Sequence, residues 1–216
     1  MEELIRLAPD LVIEAAGNES VLAHGPLVVA SGIHFLPMSV EALADPRLLT
    51  ELTELANQYH TGILIPSGAI GGLDVLRASR ARGELNEVLL TSTKPAAALI
   101  GQPFLIEQGI SLEGLERAVS VFDGPASAAC IAFPKSTNIA AAVSLAGLGF
   151  DRTRVRVVAD PHILCTTHSL QAKGAFGELQ LTLRSFPHPK NPKTTSLACL
   201  GAVAAVKNVG AAIRFI

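Results

Sequence analysis

The apolar pattern of this chain changes period part-way along, and that change constrains the fold more than any other feature. Before residue 67 the strand-like segments are short continuous apolar runs: "DLVIEAA" from Asp10 to Ala16, then "IHFLPMS" and "GILIPS". Continuous runs of this length suit parallel strands covered on both faces. Segments of helical spacing separate them, "SVLAHGPLVVASG" and "DPRLLTELTELANQYH", the second with Asp45 placed to cap and Pro46 at the first helical position. Residues 10–66 therefore read as successive β-α units. From residue 84 onward "ELNEVLLTSTK", "RVRVVADP", "LCTTHSLQAKG" and "GELQLTLRSFP" are strand-like, several alternating apolar and polar side chains with period two. That pattern predicts a mixed or antiparallel sheet with one solvated or ligand-facing side. Helical segments are expected at about 112–119, 125–132 and 137–149, with a last helix from near Pro192 to about Lys207. The expectation is an α/β half followed by an α+β half, divided at Ser67.

Composition narrows the function. Nearly half of the 216 residues are apolar, enough for a substantial core, and 17 Lys and Arg against 19 Asp and Glu leave no basic stripe for nucleic acid. Cys130, Cys165 and Cys199 stand far apart without CxxC spacing, which suits reduced thiols buried as small apolar residues in a cytoplasmic protein. The longest apolar runs fall short of the roughly 18 residues of a membrane span, and no HxH or HExxH spacing suggests a metal. His24, His34, His60, His162 and His188 accordingly read as structural.

The glycine-rich stretch "PSGAIGGLD" fits neither GxGxxG nor a loop ending in GK[ST]. Its spacing serves two purposes: a sharp turn from strand into helix, or a backbone surface at Ser67, Gly68 and Ala69 low enough for a flat ligand to approach. Followed in order by "LTSTKP", "FPKSTNIAAAVSLAGLG", "VVADP" and "NPKTTSLA", it resembles the L-aspartate dehydrogenase family, and the resemblance covers nearly the whole chain.

That resemblance implies a partial Rossmann-type parallel sheet, the remnant of a dinucleotide-binding domain, over residues 1–66. It implies an α+β substrate, catalytic and oligomerisation domain over 67–190, and a helix and strand at 191–216 returning to the first domain. It further implies NAD or NADP as cofactor and oxidation of L-aspartate to iminoaspartate. The product then hydrolyses to oxaloacetate and ammonia or feeds pyridine-nucleotide biosynthesis. The expected assembly is a homo-oligomer, a dimer or larger.

The family's catalytic histidine, acting as acid/base, maps onto His168. On a strand His168 shares a face with Thr166 and Leu170. By themselves the residues favour a structural histidine on a sheet; the resemblance reverses that preference. The family pattern places an asparagine at Thr166, where this chain offers one rotating hydroxyl instead. Ala69, Asn138 and Asn191 fall at cofactor-contacting positions. Unaided, Asn138 reads as an N-cap of the run "IAAAVSLAGLG", and Asn191 as the start of the last helix with Lys193 and Thr194 in its first turn. A dicarboxylic substrate requires a cation or donor cluster, for which Ser67, Lys94, Thr166, Lys193 and Thr194 are candidates. Lysines in loops are more commonly just solvated.

Family members begin with a strand and a GxGxxG loop that is missing here, a shortfall on the order of 50 residues at the usual size of β-α units. Three readings follow: a piece of a longer enzyme, a short non-catalytic paralogue acting as a binding or oligomerisation subunit, or a sheet completed by a partner chain.

Overall fold

In a computed structural model the chain is described over residues 1–134 and 136–214, the side chains of residues 191–194 excepted. It divides into two compact units, Met1–Pro66 and Ser67–Ile216.

The first unit runs α1 (Glu2–Arg6), β1 (Leu11–Glu14), α2 (Asn18–Ala30), β2 (His34–Pro37), a 3-10 turn at Val40–Ala44 and α3 (Pro46–Gln58). β1 and β2 are parallel, with Val12 opposite Phe35 and Ile13 opposite Leu36. The "GILIPS" run joins beside β2 only as a bridge between Ile63 and Phe35, with Phe35 N–H donating to Gly62 O at 3.0 Å and Leu64 N–H to Phe35 O at 2.7 Å. Pro66 closes that edge because it has no N–H to extend the ladder. Asp45 caps α3 as its sequence predicts, its carboxylate accepting from Arg47 N–H at 2.9 Å. Val21, Val28, Phe35, Leu36 and Leu52 are fully enclosed between the helices and strands. Glu14, at the end of β1, is also buried: its carboxylate accepts the N–H groups of Ala16 and Gly17, each at 2.6 Å, and of Ser39 at 3.1 Å. One side chain thus ties together the segments that follow both parallel strands.

The second unit contains α4 (Leu73–Ala81), β3 (Leu85–Pro95), α5 (Pro103–Glu107), β4 (Val119–Pro125), α6 (Ala126–Ala132), α7 (Asn138–Ala146), β5 (Arg154–Asp160), β6 (Thr166–Gly174) and β7 (Gly177–Ser185). A small hairpin, β8 (Pro187–His188) with β9 (Asn191–Thr195), leads into α8 (Ser196–Val209). The main sheet has the order β4-β5-β3-β6-β7; β3 is parallel to β5, and every other pairing is antiparallel. Period-two alternation is visible in β6, where His168, Leu170 and Ala172 are buried while Gln171 and Lys173 are exposed. On the outer face, Asp123 pairs with Arg154 at 2.5 Å and Arg156 at 2.7 Å, and those two guanidinium groups hold its carboxyl below the usual range. The inner face packs against helices: Leu90, Val155 and Val157 share a core with Phe133 and Ala140, and Leu170 and Val88 share another with Leu76 and Val143. Rings of Phe104, Phe122 and Phe133 meet with centroids 5.3 to 5.8 Å apart and lock α5, β4 and the end of α6 together.

Three expectations are corrected. Residues 112–119 form no helix, because Gly114 sits at φ +68°, outside helical geometry; β4 starts at Val119 and the helix lies earlier, at Pro103–Glu107. The last helix starts at Ser196 rather than near Pro192, because residues 191–195 pair in the hairpin and Thr195, accepting from Ala198 N–H at 3.3 Å, supplies the cap. The cysteines are less buried than expected: Cys130 and Cys165 are half-buried and Cys199 is exposed. Among the described residues no helix is long and apolar enough to cross a membrane.

Candidate active site

The inner face of the main sheet changes chemistry in two steps. Across β5, β3, β6 and β7, one row is Val155, Leu90, Leu170 and Leu181, and the next is Val157, Ser92, His168 and Leu183. One step further, Ala159 lies beside Lys94, and Thr166 beside Ser185. The apolar rows anchor the sheet under the helices; the polar end is where a small anion can be held.

His168 stands directly opposite Ser92 in the antiparallel register of β3 and β6. Opposed residues on one face lie close enough for their side chains to meet, and Ser92 Oγ is 2.9 Å from His168 Nδ1. Both residues are buried. Nε2, the second ring nitrogen, has no hydrogen-bond partner among the described residues. Burial, with the Lys94 ammonium nearby, pushes His168 down to about 4, so the ring is neutral at neutral pH.

Lys94, two residues past Ser92 on the same strand face, donates from Nζ to the hydroxyl of Ser136 and, at 3.5 Å, to its carbonyl oxygen. Ser136 belongs to the connection from α6 to α7. A cavity gathers Ser92, Lys94, Phe133, Ser136, Thr137 and His168, with Ile139 and Ala140 of α7 on its wall. Among the described residues no carboxylate lines it. One ammonium, three hydroxyls and the positive end of α7 make it suited to an anion.

Of the residues expected at a site, His168 and Lys94 meet in this cavity. Thr166 is half-buried on the same strand face, opposite Ser185, whose hydroxyl is buried with no partner among the described residues. Asn138 is the first residue of α7, and the N-cap position belongs to Thr137. Ala69 is buried and Ser67 exposed in the glycine-rich connection. That connection packs close to β7: a Cβ on Gly72, which sits at φ +79°, would meet Leu179 Cδ2 at 3.0 Å, and one on Gly201 of α8 would meet Gly68 O at 3.0 Å. The tight-turn reading of the glycines is thus observed. The backbones of Asn191, Lys193 and Thr194 form β9; their side chains lie outside the described residues. Sequence reasoning missed Ser92, Ser136 and Thr137. The available signal was the period of "LTSTKP", which puts Ser92 between Leu90 and Lys94 on one face. Among the described residues no three His, Cys, Asp or Glu side chains converge as metal ligands.

Known proteins share the two-unit organisation. Residues 1–66 match the family model described as homoserine dehydrogenase, NAD binding domain, and residues 74–209 match aspartate dehydrogenase, C-terminal. Two such units in this order define a dehydrogenase that uses NAD or NADP. The chain is 43% identical over 209 residues to L-aspartate dehydrogenase of Methanosarcina acetivorans, covering 97% of this chain and 76% of the relative. It is 43% identical over 205 residues to L-aspartate dehydrogenase of Pseudomonas aeruginosa, covering 95% and 76%. The crystal structure of aspartate dehydrogenase from Thermotoga maritima shares the fold, with a TM-score of 0.76 and 24% identity over 96% of this chain and 78% of that one. The chain belongs to the L-aspartate dehydrogenase family and is an oxidoreductase. The first unit fits a dinucleotide: β1 is followed by Ala15, Ala16 and Gly17, a turn poor in side chains at the carboxyl end of a parallel strand, with no neighbouring atom within 4 Å of a Cβ placed on Gly17.

Proposed function

We propose that this protein oxidises L-aspartate to iminoaspartate, which water then converts to oxaloacetate and ammonia, with His168 as the acid/base group. The observation that carries the reading is the cavity in which a neutral, buried histidine and a lysine ammonium stand together with no carboxylate among the described residues that line it. A substrate with two carboxylates needs a fixed cation, and Lys94, anchored on Ser136, supplies it. The hydroxyl of Ser136 and the N-terminal N–H groups of α7 add donors on the same wall. Thr166 and Ser67 are further substrate contacts, with Lys193 and Thr194 of β9 beside them in role. When bound, NAD or NADP supplies the hydride acceptor for the aspartate Cα; Ala69, Asn138 and Asn191 would hold its nicotinamide end.

His168 manages protons. Loss of hydride from Cα leaves a C=N group, and hydrolysis requires a proton to leave the attacking water and another to reach the departing nitrogen. A neutral imidazole carries one N–H to give and one lone pair to receive. An ordinary solvated histidine would be partly charged near its usual pKa; burial keeps this one neutral in the presence of Lys94.

The protein also associates as a dimer or larger in this reading. Leu197, Leu200, Val203 and Val206 on α8 are exposed apolar side chains in support of that. Light scattering on the purified chain reads the mass directly, and a monomer would remove this part of the proposal.

The chemical test is formation of reduced nicotinamide by the purified chain. It is expected with L-aspartate, not with D-aspartate or L-alanine, and the reverse reaction is expected with oxaloacetate plus ammonium. Equal turnover of L-alanine would contradict a site built for a second carboxylate. Lys94→Met is expected to raise KM for aspartate roughly tenfold or more, the size of a lost charge-assisted hydrogen bond.

A further inference from the structure

The bond between Ser92 and His168 can run in two directions, and they give His168 opposite chemistry. If Nδ1–H donates to Ser92, Nε2 presents a lone pair to the cavity, and the serine hydrogen must find another acceptor. If Ser92 donates to Nδ1, Nε2 carries the ring hydrogen. Ser92 is buried, and its hydroxyl makes no second hydrogen bond among the described residues. The first arrangement therefore leaves the O–H of a buried serine without an acceptor among the described residues, whereas the second leaves an oxygen lone pair and an Nε2–H that opens on the cavity, where solvent or a ligand accepts it. Orphaned buried donors are the rarer and costlier of the two.

We infer that Ser92 donates to His168 Nδ1 and fixes the resting ring as the Nε2–H tautomer, so that His168 meets its ligand as a hydrogen-bond donor toward a carboxylate or carbonyl oxygen. Ser92 is thus a positioning residue that acts through His168. The inference rests on the reading that His168 faces the substrate, and it specifies which half of the acid/base role is set up before binding. A neutral imidazole donating in this way polarises a carbonyl without carrying charge into a site that already holds the Lys94 ammonium.

The fold supports this assignment over a chance contact. Ser92 and His168 are register partners in the middle of a five-stranded sheet, flanked by Leu90–Leu170 on one side, and α6 and α7 cover the face. The hydroxyl has little room to leave, and the ring cannot rotate without displacing its buried neighbours.

Long-range nitrogen–proton NMR of the full chain, labelled with nitrogen-15 histidine and assigned with His168→Gln, reads the tautomer directly at pH 7. The expected spectrum has a protonated Nε2 and an unprotonated, hydrogen-bonded Nδ1; a protonated Nδ1 overturns the inference. Ser92→Ala is expected to bring in the Nδ1–H form and to lower kcat at least roughly tenfold. Ser92→Thr, which keeps the hydroxyl, is expected to restore the single tautomer. An unchanged tautomer in Ser92→Ala would overturn the role of Ser92. The wild-type spectrum needs no turnover, so failure of the inference is distinguishable from failure of the aspartate reading: full turnover in His168→Ala would sink the latter alone.

Discussion

A buried histidine beside a lysine ammonium, one same-face position along the adjoining strand, is costly to charge, and the sheet offsets that cost by keeping the ring neutral. His168 is expected to stay uncharged as pH falls through 6.5 and to take up a proton only near 4. NMR titration of its ring protons would show this, and an ordinary titration near 6.5 would contradict it. Lys94→Met removes the second cause of the depression and leaves the first, so the midpoint is expected to rise yet remain below 6.5. The stability consequence has a definite sign. Between pH 6.5 and about 4 the unfolded chain binds a proton at this position that the folded chain refuses, so His168 lowers stability progressively across that window as pH falls and contributes nothing above it. His168→Gln is expected to remove that share of acid destabilisation, roughly 3 kcal/mol, in urea unfolding measured at pH 4 against pH 7. That His168 shares a face with Thr166 and Leu170 was legible from the period of β6. Ser92 was not, because "TST" offers hydroxyls on both faces and only pairing with β6 shows which one meets the ring.

At the scale of elements, local signals were read well where one residue decides the outcome. Asp45 followed by Pro46 announced α3, and Asp45→Ala is expected to cost about 1 kcal/mol in chemical denaturation. Signals failed where pairing or backbone conformation overrode periodicity. "SLEGLERA" has helical spacing, yet Gly114 takes a left-handed conformation. Pro192 looked like the first position of a helix, but residues 191–195 form an edge strand, which tolerates a residue without an N–H. Glu14 shows a device that no spacing rule exposes: one carboxylate accepting three N–H groups across two connections. Glu14→Gln turns one acceptor oxygen into a donor facing those N–H groups, and a loss of roughly 1–3 kcal/mol is expected. An unchanged denaturation midpoint would mean that solvent replaces the carboxylate.

Over the whole molecule, the switch from continuous apolar runs to period-two alternation separated a parallel β-α unit from a mixed-sheet unit, and the β1–β2 sheet and the five-stranded sheet follow that reading. The two matching family models fall on either side of the same switch. The site was only half legible. Its charged and titratable members stand out in a sequence, whereas the serines and threonine that orient them are defined by register and by the α6–α7 connection. In the proposed reaction His168 serves nicotinamide-linked oxidation of aspartate. The most direct measurement is aspartate turnover by His168→Gln alongside its affinity for NADH. Turnover is expected to fall roughly 100-fold or more with cofactor affinity retained; wild-type turnover in that variant would rule out the acid/base role of His168.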